Sequence, residues 1–154
     1  MRTRGALSVA GVLAAVGLTT MCTSPKEIAL EGATAEARTQ AERDRHELEL
    51  KLRRVPPADS EVAKEDTVAR FGPDKAFGSR VVPGGFEVDG VYYGRRDAGG
   101  GWDAEQASVR MCVRFTARLG DRATVALSDA DCPVTLPTAV PGYGSVTRTV
   151  TLAD

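Results

Sequence analysis

Residues 108–119 alternate without a break, and that run constrains the fold more than any other part of the chain. Val109, Met111, Val113, Phe115, Ala117 and Leu119 point one way, while Arg110, Cys112, Arg114, Thr116 and Arg118 point the other. A period of two sustained this long defines a strand with one face for a core and one for water. Gly120, Asp121 and Arg122 turn the chain, and Ala123, Val125 and Leu127 resume the apolar face. A two-residue turn would oppose Ala117 to Thr124 and leave Val125 wet. A three-residue turn opposes Ala117 to Val125 and Phe115 to Leu127. Slipping by one residue turns every side chain over, so the three-residue turn is expected.

That register puts Cys112 opposite Ala130, with Cys132 two residues further along on the same face. Diagonal neighbours are farther apart than a bridge prefers, so a Cys112–Cys132 disulfide requires a bend near Asp129. Closing the loop should stabilise the fold by roughly 3 kcal/mol. Pro133, Pro137 and Pro141 mark an irregular stretch beyond it. Val146, Val150 and Leu152 indicate a last strand within residues 145–152.

Upstream the period changes. Residues 25–55 are rich in Glu, Arg, Ala and Leu, which favour helix, and Pro56 and Pro57 end the run. Ala37, Ala41, Leu48, Leu52 and Val55 form a thin stripe interrupted by Asp44 and Arg45. So thin and alanine-rich a stripe reads as a wet spacer, a helical stalk over residues 22–58. Residues 59–71 form a second helix, with Ser60 as its cap, Val62 and Ala69 on one face, and Gly72-Pro73 as its stop. Asp89-Gly90 between Phe86, Val88 and Val91, Tyr93 has the form of a two-residue hairpin turn. The fold class expected is α+β: a signal segment, a helical stalk, then a small antiparallel β-sheet with one packed helix and one disulfide, the domain occupying residues 59–154.

The N-terminus carries an address. Arg2 and Arg4 precede a stretch, residues 5–18, made only of Gly, Ala, Val, Leu and Ser, and Thr19-Thr20-Met21-Cys22 follow. A basic start, a short apolar run and small residues at its end make an export signal, residues 1–21. Cys22 is the cysteine left over from the expected bridge. Its surroundings resemble the lipobox of bacterial lipoproteins, although Leu18 stands one position early and Met21 is bulkier than usual. With 16 of the 20 basic residues being Arg, the layout resembles the small exported lipoprotein-like proteins of actinobacteria. The resemblance implies lipidation at Cys22 and an extracytoplasmic location, lipid-anchored at the cell membrane or secreted.

Charge excludes one class of partner. Twenty basic residues stand against 21 acidic ones, so no basic field is available to neutralise a nucleic-acid backbone. Chemistry is sparse as well. The lone His46 sits on the spacer helix, and a bridged Cys112 and Cys132 cannot act as nucleophiles. No catalytic residue, metal site or cofactor is expected. Ser128, Asp129 and Asp131 gather oxygen at a strand end, but turn formation accounts for them. Gly142-Tyr143-Gly144-Ser145 reads as a plain turn. Tyr92, Tyr93, Arg95, Arg96, Trp102 and Asp103, around Gly99-Gly100-Gly101, have the composition of a recognition surface. Tyr92, Arg95, Arg96 and Trp102 are the expected partner-binding residues, with packing of Tyr93 and Trp102 over the core as the alternative.

These readings point to a membrane-anchored, non-catalytic envelope protein that binds an envelope-protein or cell-wall partner. The competing expectation is a carboxylate-based hydrolase or small-ligand domain using Asp129 and Asp131 with Glu87 or Asp103. If the N-terminal reading holds, the intact mass of the mature chain begins at an acylated Cys22, and Cys22→Ala leaves the protein soluble or unprocessed. A soluble native chain cut after the small-x-small run Ala33-Thr34-Ala35, and so starting at Glu36, would refute it.

Overall fold

The computed structural model describes residues 24–154; the export segment and Cys22 lie outside the described residues. The first helix, α1 (Pro25–Lys51), begins with a reciprocal cap. Ser24 Oγ accepts from the Glu27 amide at 3.3 Å, and Glu27 Oε2 accepts from the Ser24 amide at 2.8 Å. Pro25 at the first helical position lacks only an amide that the helix could not use.

The spacer reading of this helix is corrected. Ala29, Ala33, Ala37, Ala41 and Leu48 recur at spacings of four, four, four and seven, and all are buried in the main core. The helix lies along the sheet because both surfaces are small. A Cβ on Gly94 would stand 1.9 Å from the Ala33 carbonyl oxygen and 3.0 Å from the Ala37 nitrogen. The alanine stripe looked too thin to bury because alanine contributes little apolar area. Small side chains are what permit backbone-to-backbone approach. Helix and sheet therefore share one core, and the expected start of the domain at residue 59 does not mark where packing begins.

A short turn at Pro57–Asp59 leads to α2 (Ser60–Phe71). The helix is where the sequence put it, but rotated. Ser60, Ala63 and Thr67 are buried and Val62 is exposed, because Phe71 is drawn edge-on to Phe115, with ring centroids 5.1 Å apart. Ser60 does not cap; its hydroxyl donates to the Pro57 carbonyl at 2.6 Å. Gly72 closes the helix at φ 79°, a value that suits glycine.

The strands β1 (Ala76–Val82), β2 (Gly85–Ala98), β3 (Glu105–Arg118) and β4 (Thr124–Asp129) pair antiparallel in chain order. The first hairpin differs from expectation. Its turn is Pro83-Gly84, joining Val82 to its partner Gly85, with Gly84 at φ 76°, as suits Pro-Gly in a type II turn. Asp89-Gly90 instead runs mid-strand. There Asp89 faces Arg114, whose Nε and Nη2 donate to its carboxylate at 2.6 and 2.8 Å. The second hairpin has the expected register, with Ala117 opposite Val125 and Phe115 opposite Leu127.

All the apolar-face residues of β3 are buried against the helices. Cys112 and Cys132 are bridged, with Cα atoms 5.4 Å apart, just after β4 ends at Asp129. A small ribbon of β5 (Ala139–Val140) and β6 (Gly144–Ser145) follows. The last strand, β7 (Arg148–Val150), joins β3 in parallel, Val109 to Met111 opposite Arg148 to Val150. Among the described residues no helix is long and apolar enough to cross a membrane.

Removing α1 should abolish cooperative urea unfolding in a chain from Asp59 to Asp154. In the full chain, Gly94→Ala should destabilise by on the order of 3 kcal/mol, since the new methyl meets rigid backbone. Gly100→Ala, where nothing lies within 4 Å, should change the midpoint little. Equal effects at the two glycines would contradict the close-approach account.

Candidate binding surface

Strand periodicity divides the four residues expected to act together. Gly90, Tyr92 and Gly94 of β2 face the helices, whereas Val91, Tyr93 and Arg95 face outward, and Arg96 faces α1 again. Tyr92 is therefore corrected from a surface residue to a core one, 1% exposed. Its hydroxyl donates to Asp44 Oδ2 at 2.8 Å. Lys75 Nζ bonds the same oxygen and stands 4.2 Å from the Tyr92 ring centroid. Asp44, which interrupts the apolar stripe of α1, is thus the partner that makes this burial tolerable. Burial, and then the bond to Asp44, raise the Tyr92 pKa.

Arg96 lies against α1, where a Cβ on Gly32 would come within 2.7 Å of the Arg96 Cγ. Trp102 sits in a short helical turn, Gly101–Asp103, and is fully exposed. Arg95 is exposed on the outer face. Its amide donates to Glu36 Oε2 at 2.9 Å, and its guanidinium to the Gly142 carbonyl at 3.4 Å. Glu36 and Gln40 of α1, the latter bonded to the Tyr93 carbonyl at 3.3 Å, cover the edge that β2 exposes beyond its pairing with β1.

The outer face carries Tyr93, Tyr143 and Arg110. Tyr93 packs on Tyr143, with centroids 5.7 Å apart and planes at 41°. Arg110 pairs across the strands with Tyr93 and donates to Thr149 Oγ1 at 3.1 Å. Residues 133–147 lie over this face. The Ser108 hydroxyl donates to the Tyr143 carbonyl, and Thr147 bonds the Ser108 carbonyl through its amide and its hydroxyl, each at 2.8 Å. Between that segment and the sheet runs a groove of about 570 Å³, walled by Val91, Tyr93, Leu136, Pro137, Pro141 and Tyr143, and lined also by Gln40 of α1 and by Lys75 ahead of β1. Burial raises the Tyr93 pKa. Tyrosine and proline faces are flat and lose little freedom on binding. Tyr143 escaped notice because Gly-Tyr-Gly reads as a turn. Tyr93 could have been paired with Arg95 by counting alternate residues.

Of the carboxylates expected to act together, Glu87, Asp129 and Asp131 lie around Arg114, and Asp103 stands apart. Glu87 pairs with Arg80 and Arg114, at 2.6 and 3.6 Å. Asp129 Oδ1 accepts from the Leu152 amide at 2.7 Å, Asp131 is exposed, and Asp103 lies at the far tip of the β2–β3 hairpin. Among the described residues no three His, Cys, Asp or Glu side chains stand together as metal ligands. His46 is exposed on α1. Comparison with protein-family models, curated proteins and solved structures finds no match.

The Tyr92 burial has an alkaline signature. A pKa raised in the folded state leaves stability intact below the unfolded value of about 10 and erodes it above, by about 1.4 kcal/mol per pH unit for one proton. The unfolding free energy measured with denaturant between pH 7 and 11 should therefore fall above pH 10, and Tyr92→Phe should reduce that slope to what Tyr93 contributes. It should also cost about 1–3 kcal/mol at pH 7, the worth of a hydrogen bond to a charged group. An unchanged alkaline slope in the variant would contradict this account.

Proposed function

We propose that this chain is an exported, membrane-tethered, non-catalytic envelope protein whose domain holds a partner in its outer-face groove. The observation that carries the reading is the wall formed by Tyr93 and Tyr143 with Pro137 and Pro141, beside Arg95. Three features make this a wall rather than a loop. Prolines fix its backbone, the Cys112–Cys132 bridge ties down its start, and β7 ties down its end. Rigid aromatic and arginine surfaces are the common composition of binding hot spots.

The tether rests on the basic–apolar–Cys22 pattern of the sequence. The disulfide is compatible with the extracytoplasmic compartment that this pattern implies. The partner that suits the groove is an envelope protein or cell-wall component presenting an apolar, extended segment.

A photo-crosslinking side chain at Val140 in cells should capture a discrete envelope partner, and one at Val62, exposed on α2, should not. Tyr143→Ala should weaken binding of that partner roughly thirtyfold, the equivalent of a 2 kcal/mol hot spot, with melting temperature little changed. Equal capture from both positions, or affinity indifferent to Tyr143→Ala, would refute the groove as the site.

A further inference from the structure

We infer that the β2–β3 hairpin tip is a second membrane contact, with Trp102 seated in the lipid interface beside the point where the chain leaves the membrane. This rests on the tether proposed above. Trp102 is the sole tryptophan of the chain, and among the described residues it is fully exposed. Large aromatic rings left wholly in water are uncommon, and tryptophan is the residue that prefers the boundary between lipid and water.

Geometry supplies the occupant. A Cβ on Gly99 would lie 3.3 Å from the Pro25 Cβ and 2.4 Å from the Asp103 carbonyl oxygen. The first residue of α1 therefore packs on the base of the loop that carries Trp102. Cys22 is three residues before Pro25 in sequence, a length of chain that spans at most about 11 Å from Pro25. A chain anchored at Cys22 has no slack to hold the tip far from the bilayer. The helix then runs about 40 Å away from it to Lys51, and just beyond its end the Gly120 amide bonds the Val55 carbonyl at 3.1 Å.

Charge does not make this contact. Arg95 and Arg96 on the hairpin are offset by Asp97, Asp103 and Glu105. The ring itself must do so, and neutral lipid should serve as well as anionic lipid. Gly99 at φ 80° and Gly101 at φ 65° shape a turn that holds the ring clear of the sheet.

Because Trp102 is the only tryptophan, its fluorescence reads the contact directly. The full-length chain is reconstituted into phosphatidylcholine vesicles, with and without bromine on the acyl chains near the headgroup. Emission of the vesicle-bound chain should move to shorter wavelength and lose more than half its intensity to the brominated lipid. In a chain carrying Trp102→Phe and Val81→Trp, the new ring sits on exposed β1 next to the distal Pro83-Gly84 turn and should stay unquenched. A vesicle-bound chain with long-wavelength, unquenched Trp102 emission overturns the inference and leaves the tether standing. Equal quenching at both positions also overturns it, since the domain would then lie flat. A chain that does not float with vesicles at all refutes the tether, and the inference with it.

Discussion

The approach of α1 to the sheet at Gly94 is the constraint on which the other packing depends. With a Cβ on Gly94 unable to fit under the Ala33 carbonyl, the helix can lie low only over glycine. Only a helix presenting Ala29, Ala33, Ala37 and Ala41 can use that closeness. Once it is seated, Asp44 falls over Tyr92, Gln40 and Glu36 reach the open edge of β2, and Glu47 pairs with Arg70 of α2. Moving the helix out by the thickness of one methyl group would loosen all of these together. Interiors are too closely packed to absorb such a shift locally.

The strands were legible where burial is one-sided. Residues 109–119 bury every second side chain, and a one-residue slip would cost the whole apolar face, so pattern and turn length together fixed the pairing with β4 and the partner of Cys112. The Asp-Gly signal misled because Asp89 has a use that local sequence does not display. Its carboxylate holds Arg114 on the neighbouring strand, and that pair keeps the segment extended while Pro83-Gly84 makes the turn. The helices were legible as helices but not as layers. Hydrophobic periodicity measures apolar area, and the burial of α1 rests on smallness. Asp44 looked like an interruption because its partner, Tyr92, lies 48 residues away.

The candidate site was legible in composition and not in placement. The right residue types were singled out, but alternation along β2 sends Tyr92 inward and Tyr93 outward, and only a correct strand phase separates them. Tyr143 comes from a segment whose position depends on a disulfide and on a parallel strand, neither of which leaves a periodic trace in residues 133–147. Loops held by long-range ties escape local reading for this reason.

Those ties also explain why a groove can exist on the wet side of so small a sheet. Strand β3 pairs along the same edge with β4 up to Val113 and with β7 from Met111, and Cys112 stands between the two. The bridge to Cys132 is therefore made where the edge changes partner, and the intervening segment must leave the sheet there and return to it. Eighteen residues, from Ala130 to Thr147, make that excursion. Their prolines limit how far they can collapse, and the bonds to Ser108 pull them back over Tyr93. The excursion thus follows from topology, and its length from the need to pass over the outer face. The groove is what remains between a stiff crossing segment and a flat sheet. Its aromatic walls are the side chains that fit between the two, and at the open edge of β2 Gln40 of α1 joins the lining.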